Sequence, residues 1–239
     1  MAKNIKRYYG IQKRKKIINM IIAGLLIISV LVVLITVYGQ NVGNFVIGIE
    51  TNVRQSMSLS ETADFAKPTT RLSAPGIREQ THATLQDIPQ NIEQGDGAKN
   101  EYEKRRYFAY SFYVKNVSSI ILDYDIELQL NKSTKGAESA VRIMIIRNGE
   151  RKIYAKAKEY PLEEAGEPED HVGTDINEPY MTIPFLSLTT IMRETETDFA
   201  PEAVNKYTVV MWLEGWDHEC TDDIKGGIVR MEMNFKASY

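Results

Sequence analysis

From Leu122 to Leu130 the chain alternates without a break: Leu122, Tyr124, Ile126, Leu128 and Leu130 are apolar or aromatic, while Asp123, Asp125, Glu127 and Gln129 are polar. A period of two sends the first set to one face of a strand and the second to the other, the pattern of a sheet with one dry face and one wet face. A helix would scatter the same acids around its circumference. Phe108, Tyr110, Phe112 and Val114 keep the same period, with Ala109, Ser111 and Lys115 between them. The break at residues 116–119 separates two strands that either pair in one sheet or face each other across a sandwich. Val229, Met231, Met233 and Phe235 alternate with Arg230, Glu232 and Asn234 in a further strand.

Other segments are apolar on both faces or punctuated by turns. Residues 207–213, Tyr-Thr-Val-Val-Met-Trp-Leu, leave no wet face and predict a central strand. Residues 141–147 and 150–155 flank Asn148-Gly149, a dipeptide that tolerates positive φ at both central positions of a type I′ turn, which predicts a hairpin. Residues 44–50 and 55–60 are short and β-prone, and Thr182, Ile183, Phe185, Leu186 and Leu188 suit a strand better than a helix. From Glu61 to about Arg105 the chain is polar and broken by Pro68, Pro75 and Pro89, which predicts a long excursion over the surface with room for one short strand. Residues 161–179 form a second, acidic and turn-rich loop. These signals predict an all-β fold, an antiparallel β-sandwich over residues 40–239.

Residues 17–39 follow a different rule, with no charged side chain among them. As a helix they reach roughly 34 Å at about 1.5 Å per residue, enough for a hydrocarbon core of about 30 Å. Residues 1–16 carry seven basic side chains and no acid, and the positive-inside rule keeps such a tail in the cytoplasm. A cleaved signal peptide has an apolar region of about 7–15 residues ending in a small-x-small site; this run is longer and Val37-Tyr38-Gly39 is a poor site. The expectation is a single-pass cell-membrane protein: cytoplasmic tail 1–16, uncleaved transmembrane signal-anchor helix 17–39, and extracytoplasmic domain 40–239.

Removing the seven tail cations from 29 basic residues leaves 22 against 32 acidic ones, about −10 for the exported part. Such a surface repels phosphate and argues against nucleic acid as a partner. Cys220 stands alone, so no disulfide within the chain can form. The densest chemistry lies in residues 206–227, which hold both tryptophans, the cysteine and five carboxylates. The plain reading is a bend joining two core strands, with Asp217 capping a short helical turn, Gly226-Gly227 ending it, and Trp212 and Trp216 packed in core and corner. The functional alternative is a calcium-dependent binding module or hydrolase centred on residues 214–223, with Glu214, Asp217, Glu219, Asp222 and Asp223 as hard oxygen ligands. Their spacing is not that of an EF-hand. His82, His171 and His218 are isolated and form no zinc motif. With neither a G-x-S-x-G elbow nor a phosphate-binding loop, the expectation is no catalytic residue and no cofactor beyond that calcium option. Asn116-Val-Ser118 and Asn131-Lys-Ser133 match the glycosylation acceptor pattern.

The order of motifs resembles that of camelysin/TasA-type exported proteins of Gram-positive bacteria. After the basic tail and apolar run come G-N-F-V-I-G-I-E from Gly43, S-L-S-E-T-A-D-F from Ser58, S-A-P-G from Ser73 and Y-F-A-Y-S-F-Y-V-K-N-V-S-S from Tyr107. Pro75-Gly76 matches the family's turn, and Lys115 to Ser119 its K-N-x-(S/G)-S strand end. The resemblance covers about residues 43–147 and implies a jelly-roll β-sandwich. It also implies a structural or adhesive role at the cell surface or in a biofilm matrix, through protein partners or self-association. Tyr38-Gly39-Gln40 lacks the family's small residues before cleavage, which points to a membrane-tethered cousin. The metalloprotease activity described for camelysins is not carried over, for want of a zinc motif. In such a protein the sandwich edges accept strands from partners, and the long excursion is a segment able to supply one.

Overall fold

The computed structural model describes residues 16, 18–30, 32, 45–50, 56–74, 80–100, 106–157, 182–217 and 219–238. It divides into two units, Met1–Val42 and Gly43–Tyr239. In the first unit residues 18–30 are helical. Among the described residues no helix is long and apolar enough to cross a membrane; the remainder of the expected span, residue 31 and residues 33–39 included, lies outside them.

The second unit is all-β. Its strands are β1 (Phe45–Ile49), β2 (Met57–Ser60), β3 (Arg71–Ala74), β4 (Gly97–Asn100), β5 (Tyr107–Asn116), β6 (Leu122–Ser133), β7 (Val141–Arg147), β8 (Glu150–Ala155), β9 (Thr182–Pro184), β10 (Thr190–Phe199), β11 (Val204–Leu213) and β12 (Val229–Ser238). One sheet has five strands in the order β10-β6-β12-β1-β3; the other runs β2-β5-β11-β7-β8-β9, with β4 sharing the β5 edge with β2. Most pairs are antiparallel as the sequence predicts. Two are not: β1 runs parallel to β12, and β9 parallel to β8. In each case the partners are joined by a long stretch of chain rather than a tight turn, which is what parallel pairing requires.

The period of two lands where the sequence puts it. Leu122, Tyr124, Ile126, Leu128 and Leu130 are buried, and β5 lies across the sandwich from β6 rather than beside it. Aromatic rings lock the two sheets: Phe112 and Tyr207, stacked at 5.5 Å within the seven-stranded sheet, meet Phe235 of the other sheet edge-on at 6.0 and 5.4 Å. The β7–β8 hairpin turns at Asn148 and Gly149, both at positive φ, with Arg147 opposite Glu150.

Two expectations give way. The excursion after Glu61 is not a surface loop with one strand. It places β3 in the five-stranded sheet and β4 in the seven-stranded one. Between them Ala83, Ile88 and Ile92 are buried against Tyr107, Met144, Ile153 and Trp212. The central strands of the seven-stranded sheet are thereby dry on both faces, which explains why β5, β7 and β11 read as apolar runs. This excursion is built into the domain itself, so its described part is not a segment held in reserve for another molecule. The second change concerns residues 182–199. Only Thr182–Pro184 form a strand there before the turn at Ser187, and Leu186 and Leu188 are exposed. The long strand is β10, whose inner side chains after Met192 are Glu194 and Glu196.

Candidate functional site

The acid-rich corner follows β11. Glu214 is buried: its carboxylate accepts the Trp212 indole N–H at 2.9 Å and the Trp216 backbone N–H at 3.3 Å. Asp217 is buried too, its Oδ2 2.9 Å from a guanidinium nitrogen of Arg142, which is equally enclosed. Its other oxygen accepts the Glu219 N–H at 2.7 Å. Asp217 thus ties a bend and an ion pair together. The one-turn helix comes later than the sequence suggests, at Asp222–Ile224 with Thr221 at its N-cap. Gly226 follows at φ 70°, in the left-handed region where glycine carries no Cβ penalty.

The five carboxylates therefore do not converge. Glu214 and Asp217 point inward to Trp212 and Arg142, while Glu219, Asp222 and Asp223 are exposed and Asp222 pairs with Lys225 at 2.7 Å. Among the described residues no group of three or more His, Cys, Asp or Glu is arranged to hold a metal ion. Burial lifts the Glu214 carboxyl above its ordinary range, and the bonds from Trp212 and Trp216 offset part of that lift. Burial, with Asp217 and Glu214 beside it, pushes the Cys220 thiol up as well, away from the thiolate a nucleophile needs. His171 and His218 lie outside the described residues; His82 sits against Gly215, where an added Cβ would come within 3.1 Å of its ring. Trp212 is in the core as expected. Trp216 is not packed: it is 69% exposed.

No protein-family model and no curated protein matches the chain. Among solved structures, a β-glucosidase from Kluyveromyces marxianus in complex with glucose aligns at 11% identity with a TM-score of 0.21. The alignment covers 74% of this chain and 15% of that one. Likeness at that level carries no argument, and the camelysin/TasA resemblance rests on its quoted motifs alone.

A second polar cluster bridges the two sheets beside β10. The Tyr124 and Tyr207 hydroxyls lie 2.8 Å apart, and the Asn205 amide donates to the Tyr124 hydroxyl at 2.6 Å. Arg147 reaches Glu196 at 2.7 Å, and Lys152 reaches Glu194 at 2.7 Å. Burial pushes the Tyr124 phenol up to about 12, and that of Tyr207 further. Both phenols stay protonated and serve as hydrogen-bonding struts. The sequence hides this seam because Glu194 and Glu196 read as a wet face, and only their partners on β7 and β8 show otherwise. On the outer face of the five-stranded sheet, a groove of about 260 Å³ is lined by Glu50, Asp125, Glu127, Arg193, Asn234 and Lys236. Within it Arg193 pairs with Glu127, and the Thr195 hydroxyl donates to Asp125, each at 2.7 Å.

The two glycosylation patterns separate. Asn116 is buried, donating to the carbonyls of Ile120 and Phe199 at 2.9 and 2.8 Å, and so braces a loop. Asn131 is exposed and donates to Glu232 at 2.7 Å.

Proposed function

We propose that this chain is a membrane-anchored extracytoplasmic protein whose domain, a jelly-roll-like sandwich, works by contact and not by catalysis, as a structural or adhesive element of the cell surface or its matrix. The observation that carries the reading is the helical run 18–30. Its large apolar side chains, from Ile18 to Val30, each expose more than half of their surface. In water that exposure is costly, whereas lipid covers such a helix without disturbing its hydrogen bonds. The seven cations of residues 1–16 set its orientation. The sandwich contributes a core of its own, and its chain changes sheet at most connections, which is the winding a jelly roll requires. The contact role draws support from β10, a ten-residue edge strand that pairs only with β6 among the described strands. Its exposed Arg193, Thr195 and Thr197 suit a polar partner.

Fractionation of cells producing the full chain tests the anchor. The expected result is a pellet that resists alkaline carbonate, with the domain digested by protease added to intact cells. Recovery of the full-length chain in the soluble cytosol overturns the reading. Sedimentation of the detergent-solubilised chain tests the contact role, and strictly monomeric behaviour at high concentration removes self-association.

A further inference from the structure

We propose that the end of the sandwich at which β1 begins is a lipid-facing platform, with the Trp216 indole as its anchor in the bilayer interface. This rests on the reading that residues 17–39 span the membrane, and it adds a surface and a ligand that reading does not contain.

The strand registers define the two ends of the domain. Phe45, the first residue of β1, lies opposite Met231 and Ala74. At that same end Tyr107 lies opposite Trp212, Val141 opposite Leu213, Ser133 opposite Val229 and Thr190 opposite Gln129. The β6–β7, β9–β10 and β11–β12 loops all leave from there. Two of them carry exposed large apolar side chains: Leu186, Leu188, Trp216 and Ile228.

Trp216 is not a loose loop tip. The buried Glu214 carboxylate accepts its backbone N–H, and the N–H of the preceding Gly215 donates to the Ala83 carbonyl at 2.8 Å. The corner thus fixes the backbone that carries an exposed indole. An indole has an apolar body and one N–H donor, the chemistry that favours the headgroup boundary of a bilayer. Lys135 and Lys225 stand at the same end, with the exposed acids Asp222 and Asp223. β8 also ends here, with Ala155 opposite Arg142, and the chain that follows it carries eight acids over residues 158–181. That excess of negative charge fits a zwitterionic headgroup better than an anionic one.

Reach selects this end over the other. Residues 40–44 lie between the apolar run and β1, and five extended residues cover at most about 18 Å. The opposite end also shows apolar side chains, Val117, Ile120 and Ile121. It lies a ten-residue strand farther away, roughly 33 Å, beyond contact with the same bilayer.

The two tryptophans make a clean test, because Trp212 is in the core and only Trp216 faces outward. The full chain is reconstituted in phosphatidylcholine nanodiscs with plain or brominated acyl chains, and indole emission is compared. Bromine quenches the wild type, and Trp216→Phe abolishes the quenching while leaving the emission of Trp212. The double variant Trp216→Phe, Ile121→Trp, with its second indole at the far end, is not quenched. A chain that enters the discs but is not quenched overturns the platform and leaves the anchor standing. Equal quenching of the wild type and Trp216→Phe also overturns it. A chain that does not enter the discs removes the anchor, and the platform with it.

Discussion

The two sheets treat polar side chains in opposite ways. The five-stranded sheet has one dry face; its other face carries Asp123, Asp125, Glu127, Arg193 and Lys236 in water, where charges meet across strands at little cost or gain. The seven-stranded sheet is covered twice, by the other sheet and by the excursion bearing Ala83, Ile88 and Ile92. A charged residue beneath that cover has no water to fall back on. Arg142 sits beside Trp212 in that second layer, so its guanidinium must be met by a carboxylate, and Asp217 supplies it. The two buried acids of the corner, Glu214 and Asp217, are explained by the sheet they serve.

The strongest way to break this comparison is Arg142→Ala. It takes away the guanidinium facing a buried carboxylate, and the expected loss is about 3–5 kcal/mol in chemical denaturation. A loss under about 1 kcal/mol, the range of exposed pairs, would place the corner on the same footing as the wet face. Next comes the cover itself: Ile88→Ala opens a cavity over the outer face of the seven-stranded sheet and is expected to cost about 2–4 kcal/mol. A surface loop would not register the change.

Glu214 sharpens the comparison through pH. Its folded carboxyl binds a proton more readily than the unfolded one, so between the ordinary carboxylate range and its raised value the native state holds more protons. Stability from this group is therefore present at low pH and lost as pH rises through that window. Glu214→Gln removes the dependence, and urea midpoints at mildly acidic and neutral pH should differ less in the variant than in the wild type. The smallest effect belongs to the wet face. Arg193 beside Glu127 holds that carboxyl below its ordinary range; the stabilisation is present above that range and lost as pH falls through the lowered value. Arg193→Ala should cost less than about 1 kcal/mol and weaken further in salt.

What was legible in the sequence follows the same division. The strands at 108–114, 122–130 and 229–235 and the Asn148-Gly149 turn declare themselves because period and turn chemistry are local. The cover does not, since Ala83, Ile88 and Ile92 sit on irregular chain with no period to reveal them. β10 escaped the strand reading, which stopped at Leu188, because Glu194 and Glu196 answer to Arg147 and Lys152 on strands distant in sequence. The corner was visible as a cluster of acids, but inward and outward members look alike until Arg142 sorts them. For the same reason the exposed Trp216 could not be told from Trp212 four residues earlier.

The place of β12 has a consequence for how the chain is made. It lies between β6 and β1, so the five-stranded sheet stays in two pieces until residues 229–238 arrive. Long-range pairings of this kind form late. The middle of that sheet therefore cannot close on the ribosome before these residues have emerged, whereas the seven-stranded sheet needs nothing beyond β11.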